Sequence, residues 1–189
     1  MGTPYSKGNE KQSQAGHALA VEEIYPVFFE HKKLEIRNFA IEKSEEGKRM
    51  DGEYGVDTEI KVYDEGHEWP LRFWFQERFR TFDDYRFREL TITCWNPVTY
   101  LPSELYKMMA GYMLYAYYDI TENEFLEAII ICVPRVIRAY LLGKLKAETN
   151  INPRTRQPFI GFKIDELIEK GFSEYHYDCA DVWGENLNA

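Results

Sequence analysis

Two short segments constrain this chain more than any other feature: Gly55-Val56-Asp57-Thr58-Glu59-Ile60-Lys61-Val62 and Leu71-Arg72-Phe73-Trp74-Phe75-Gln76-Glu77-Arg78-Phe79-Arg80. Both alternate with the period of two that marks a half-buried strand. In the first, Val56, Thr58, Ile60 and Val62 share one face, and Asp57, Glu59 and Lys61 share the other. In the second, Leu71, Phe73, Phe75 and Phe79 share a face with Glu77, opposite Arg72, Trp74, Gln76, Arg78 and Arg80. The stretch between them, Asp64-Glu65-Gly66-His67-Glu68-Trp69-Pro70, is rich in turn residues, so an antiparallel hairpin is expected. That pairing sets Asp57 beside the Gln76/Glu77/Arg78 group. A carboxylate facing a second acid or an amide, with a cation two residues on, suits a metal and a phosphate. The plainer reading is a solvated strand face, whose cross-strand ion pairs would add only about 0.2–1 kcal/mol each.

At 189 residues the chain is long enough for one well-buried core and short for two. A hydrophobic content of 44% and an aromatic content of 16% exclude a disordered chain. The longest apolar run, Ala128 to Val133, is stopped by Pro134 and Arg135, which excludes a bilayer span there. The first twenty residues carry no hydrophobic signal core. Cys94, Cys132 and Cys179 form no disulfide framework, which suits a reducing, cytoplasmic location. The single His176-Tyr177-Asp178-Cys179 is a weak zinc signal without a second ligand pair.

The net charge of −9 argues against nonspecific coating of nucleic acid. The charge is unevenly spread. Arg135, Arg138, Lys144, Lys146, Arg154 and Arg156 face a single acid, Glu148, within their stretch, whereas seven acids follow from Asp165 onward against Lys170. Either a basic surface exists on an acidic molecule, or a solvated helix face precedes an acidic tail.

Along the chain, residues 1–20 read as a disordered arm, and Val21 to Ile36 as a helix with Pro26 near its start. Glu42 to Gly52 reads as a loop or frayed helix end. The hairpin follows, then a third strand at Glu89–Trp95 and a helix capped by Ser103. Tyr112 to Asp119 reads as a strand. Ala128 to Val133 reads as a buried strand, although Thr121-Glu122-Asn123-Glu124 also matches a helix-starting capping box. Pro134 to Lys146 is helical, Phe159 to Ile164 a strand, and Asp165 to Lys170 a short helix closed by Gly171. Residues 173–189 read as an acidic tail. This order predicts a single α/β (α+β) domain over residues 21–172, with a three-stranded meander in a central mixed sheet flanked by helices.

The Gly-Val-Asp of the first strand and the Gln-x-Arg ending the aromatic second strand resemble the PD-(D/E)XK nuclease superfamily. The ordering of elements is similar from about Val21 to Val133. The resemblance implies a restriction-endonuclease-like fold, with Asp57 as a Mg²⁺ (or Mn²⁺) ligand. It leaves two registers on the second strand. In one, Gln76 takes the second acidic position and Arg78 the lysine position, which strand alternation favours. In the other, Glu77 is the metal-binding acid and Phe79 falls where lysine should be. Glu59-Ile60-Lys61, with Asp51 upstream, is a third match. Glu30, or Glu22 or Glu23, would supply a helix carboxylate.

Such a site would hydrolyse phosphodiesters, most simply in DNA, by neutralising charge at phosphorus and orienting a water. Arg78 would clamp the phosphate, but an arginine stays protonated and is a poor base. Arg72, Arg80, Arg135, Arg138, Lys144 and Lys146 would position the backbone. With both Gln76 and Arg78 replacing the superfamily residues, the alternative is a fold that binds nucleic acid or assembles with proteins without cutting. Tyr112, Tyr115, Tyr117 and Tyr118 would stack bases, or more simply build the core and a homodimer surface.

Overall fold

Strand alternation dominates the chain's architecture. The computed structural model describes residues 7–85, 87–101, 103–119, 121–153 and 155–179. In chain order it contains α1 (Lys7–Leu19), a π-helical turn (Ala20–Ile24), α2 (Tyr25–Phe28), β1 (Lys33–Asn38) and α3 (Glu45–Gly52). There follow β2 (Thr58–Tyr63), β3 (Leu71–Thr81), α4 (Phe82–Tyr85), β4 (Glu89–Thr93), α5 (Glu104–Lys107), β5 (Tyr112–Asp119) and β6 (Glu124–Cys132). The chain continues through α6 (Val133–Leu141), β7 (Glu148–Ile151), β8 (Pro158–Lys163), α7 (Ile164–Glu169) and β9 (Ser173–Asp178).

A six-stranded mixed sheet runs in the order β1-β2-β3-β5-β6-β9, and β4-β8-β7 form a second sheet. Within the large sheet β3 and β5 are parallel and every other pair is antiparallel. The parallel pair needs a crossover, which α4, β4 and α5 supply. The expected mixed α/β architecture is therefore present, with helices against a mixed sheet.

Each face of the large sheet has its own core. Leu19, Ile24 and Tyr25 of the N-terminal helical segment pack on Ile60, Phe75, Leu114 and Ile130. On the other face Met113, Tyr115, Tyr117, Ile129 and Ile131 pack on Leu90, Ile92 and Phe162 of the small sheet and on Val136 of α6. Tyr115, Tyr117 and Tyr118 are buried, so they are core side chains and not a stacking surface. No helix among the described residues is long and apolar enough to cross a membrane.

Four expectations change. Residues 7–19 belong to a docked helix, not a disordered arm; residues 1–6 lie outside the described residues. Polar composition hid this helix, because its contacts gather at the C-terminal end, where Ala15, Gly16 and Leu19 meet the sheet. Val21 to Ile36 is not one helix. Glu30 and His31 take left-handed backbone, with φ of 53° and 57°, and reverse the chain into β1. The meander is accordingly β1-β2-β3, since the strand at Glu89 leaves through α4 and pairs with β8 instead. Residues 173–178 are not tail but an edge strand, with Tyr175 and Tyr177 turned to one core and His176 between them; residues 180–189 lie outside the described residues. The capping-box alternative at Thr121 gives way to strand β6.

Docking of α1 rests on Gly16, where an added Cβ would come within 2.5 Å of the Phe79 ring. Gly→Ala in a helix ordinarily gains about 1 kcal/mol from propensity. Here overpacking, at about 1–3 kcal/mol, opposes that gain. Gly16→Ala should lower the urea midpoint at unchanged m-value, and Gly16→Val should lower it further. A raised midpoint would show that α1 does not pack on β3.

Candidate functional site

Antiparallel register sets Thr58 opposite Phe75, and therefore Asp57 opposite Gln76. Gln76 Nε2 donates to Asp57 Oδ2 at 2.5 Å, and the backbone N–H of Glu77 donates to the same oxygen at 2.7 Å. Backbone bonds fix Asp57 as well: its N–H donates to Phe75 and its carbonyl accepts from Phe39. Asp57 and Gln76 are each only 8% exposed. The approach to Asp57 requires Gly55, whose φ is +60° and whose Cα faces Gln76 Oε1 and Met108.

Burial pushes the Asp57 carboxyl well above the usual carboxylate range, and the Glu77 charge pushes the same way; the Glu77 N–H opposes them. The charge of Asp51, in the last turn of α3, adds a smaller push in the same direction. Ser44 caps α3, accepting from Gly47 N at 3.0 Å, and so fixes the helix that carries Asp51. Asp51, Asp57 and Gln76 thus bring two carboxyls and a carboxamide together. These hard oxygen donors fit Mg²⁺ or Mn²⁺.

Arg78 lies on the same face of β3 as Gln76, level with Tyr115 of β5. It forms an ion pair with Glu104 of α5, which also accepts from Thr93 N and Thr93 Oγ1, each at 2.9 Å. Sequence reading missed Glu104 as a site residue; following Ser103, it looks like an ordinary first-turn helix acid. Asp51 carried a weak signal, six residues before Asp57 on a charged segment.

Glu77 stands on the opposite face. Its carboxylate accepts from Tyr25 Oη at 2.5 Å and Thr58 Oγ1 at 2.9 Å, and lies 2.9 Å from His17 Nδ1. Burial, and then the Glu77 charge, pushes the Tyr25 hydroxyl well above its usual value, which keeps it a donor. Glu77 therefore fastens the N-terminal helical segment to the sheet with its carboxylate, while Gln76 meets Asp57 and Arg78 lies two residues along that face, paired with Glu104. Alternation is the reason: adjacent strand residues point to opposite faces. Glu30 is also separated from the site. It precedes Lys33, which pairs with Tyr63 at one end of the β1–β2 ladder, whereas Asp57 adjoins the other end at Thr58. Glu59, of the third match, is paired with Arg72 at 3.3 Å and accepts from Trp74 Nε1 at 3.4 Å.

The expected phosphate-positioning cations are scattered. Arg80 turns inward and donates to Tyr115 Oη and Thr91 Oγ1. Arg135 pairs with Glu174 at 2.7 Å and lies over Phe172, while Arg138, Lys144, Lys146 and Arg156 are exposed. Arg154 lies outside the described residues.

A second polar cluster occupies the far edge of the sheet. Glu127, fully buried, is held by both Arg88 Nε and Nη2 and lies 3.0 Å from His176 Nε2, with Asp178 adjacent. Arg88 also reaches Asp165 at 3.0 Å. Arg88 supplies the positive charge that a metal would otherwise bring, so this cluster is an ion-pair joint between β6 and α7. His176 thus contributes to this joint.

Two outcomes follow. The Asp57 carboxyl keeps its proton in the native state where the unfolded side chain, near about 3.9, has lost it. Its contribution to stability is complete below about pH 4 and is lost as pH rises through the native pKa. Asp57→Asn, which cannot ionise, should gain thermal stability over the parent as pH climbs from 4 to 8; parallel curves would refute the upward shift. Arg88→Ala, which strips a buried carboxylate of its main partner, should cost about 3 kcal/mol or more, against under about 1 kcal/mol for the exposed Asp165→Ala, both read by urea denaturation.

No protein-family model, curated protein or solved structure matches this chain, which leaves its own geometry to carry the functional reading.

Proposed function

We propose that this protein is a metal-dependent, PD-(D/E)XK-like nuclease acting on nucleic-acid phosphodiesters, DNA first among them. The observation that carries the reading is the cross-strand pair Asp57–Gln76 with Arg78 two residues along the same face and Asp51 at the same carboxyl. The order helix, β1-β2-β3 meander, crossover and parallel β5 supports a restriction-endonuclease-like core.

In this reading Asp57, Asp51 and Gln76 hold Mg²⁺ or Mn²⁺. A bound ion supplies charge neutralisation and an activated water. Asp57 would have to lose its proton to serve as a ligand, and its burial, which favours the protonated carboxyl, would make metal entry pH-dependent. Arg78 exchanges Glu104 for a phosphate oxygen, a bidentate acceptor of similar geometry. β3 carries an arginine at the position two residues beyond Gln76, so Arg78 binds and orients rather than removing a proton.

The Arg78–Glu104 pair also supports a second reading, a nuclease-like protein that binds nucleic acid or assembles without cutting. Incubation with single-stranded, duplex and branched DNA in Mg²⁺, Mn²⁺ or EDTA separates the two. The first reading expects metal-dependent cleavage lost in Asp57→Ala, and a Mg²⁺-induced rise in Tm absent from that variant. Absence of both on every substrate would leave the second reading.

A further inference from the structure

Two concave regions share Met109 in their linings. One, of about 240 Å³, includes Glu104, the partner of Arg78. The other, of about 270 Å³, is lined by Met50, Tyr54, Trp74 and Met109. Trp74 precedes Gln76 by two residues on the same face of β3, so this second pocket adjoins the Asp57–Gln76 pair.

Its two aromatic walls are held at their polar edges. Trp74 Nε1 donates to Glu59 at 3.4 Å, and Arg49 Nη2 donates to Tyr54 Oη at 2.8 Å with its guanidinium carbon 5.7 Å from the ring centroid. Met109 N donates to Tyr54 O at 2.7 Å, tying that residue to the same wall. Trp74 remains 37% exposed and Met109 56%. Tyr54 carries the Arg49 guanidinium over its ring and Trp74 is tied at Nε1, and these held rings, with polarizable methionines beside them, suit a planar aromatic ligand. The volume is below the range of about 300–1,000 Å³ typical of drug-sized and cofactor sites, which favours a single ring system.

The charges near the site disfavour a duplex. Arg78 is paired with Glu104, Arg72 with Glu59, Arg37 with Glu42 and Glu46, and Lys107 donates to the carbonyl of Gly52. On a chain of net charge −9, these cations make a poor rail for a phosphate backbone. Stacking needs an open base face, which paired bases in a stacked duplex do not offer.

We infer that the Met50/Tyr54/Trp74/Met109 pocket takes one unpaired nucleobase beside the phosphodiester held at Asp57 and Arg78, which makes single-stranded or locally unpaired nucleic acid the substrate class. This rests on the nuclease reading for its neighbour, but its test is separate.

The test is fluorescence anisotropy, in EDTA and again in Ca²⁺, with labelled oligothymidine, oligouridine, an abasic oligomer of equal length and a blunt duplex. The parent protein should bind one of the two base-bearing single strands roughly tenfold or more tighter than the abasic strand and the duplex. The tighter of the two names the nucleic acid. Trp74→Ala and Tyr54→Ala should each abolish that preference while abasic binding and melting temperature hold, and Trp74→Phe should retain most of it. Equal binding of base-bearing and abasic strands, unchanged binding in both alanine variants, or no binding at all would overturn the inference. Base-dependent binding without cleavage would sink the nuclease reading and leave the pocket standing; cleavage that is indifferent to Trp74→Ala and Tyr54→Ala would do the reverse.

Discussion

The candidate site depends on one antiparallel contact, Asp57 against Gln76, and that contact is held from the other side of the sheet. Side chains in β3 alternate, so a slip of one residue would exchange its two faces completely. Glu77 prevents the slip. Tyr25, Thr58 and His17 engage its carboxylate on the helix face, while its N–H engages Asp57 on the other. A slipped strand would bury Gln76 and Arg78 among Ile24, Ile60 and Leu114, and would leave Tyr25 without its acceptor. The helix-face network therefore sets the register of the site-face network, which is why an N-terminal helix of modest apolar content matters to chemistry it never touches.

Much of this was legible locally. The period-two pattern in 55–62 and 71–80 was enough to pair β2 with β3, to put Gln76 and Arg78 on one face and to turn Glu77 away. The apolar density of 112–119 and the Pro134 and Gly143 boundaries likewise identified β5 and α6. What was not legible depended on partners distant in sequence. Lys33–Asn38 is short and half charged, and becomes a strand because β2 offers it an edge. Glu89–Thr93 reads as the third strand of the meander until β8, about seventy residues on, claims it. Gly16 falls in the stretch that reads as a disordered arm and proves to be the point where α1 meets Phe79. Glu104 and Asp51 come to the site through a crossover and a helix end, and strand periodicity says nothing about either.

Electrostatics on the site face runs on acids in slight excess. Arg72, Arg78 and Arg37 each have a carboxylate partner, and Asp57 is kept near neutrality because burial and neighbouring acids would make a second charge costly. The face is therefore self-satisfied as it stands. Any anion that engages Arg78 must displace Glu104, and any cation that engages Asp57 must displace a proton.

These two displacements are linked on the proposed reading. Losing the proton from Asp57 alone adds a buried negative charge within reach of those of Glu77 and Asp51. Moving Arg78 from Glu104 to a phosphate alone leaves Glu104 with only the Thr93 donors and places a further anion beside that cluster. Together, a dication at Asp51 and Asp57 and a phosphodiester at Arg78 offset each other, and each lowers the cost of admitting the other. A site with lysine and a second acid is charged for its ligands in advance. This one, with glutamine and a paired arginine, has its charges set by what binds, so metal and nucleic acid should enter it as a pair.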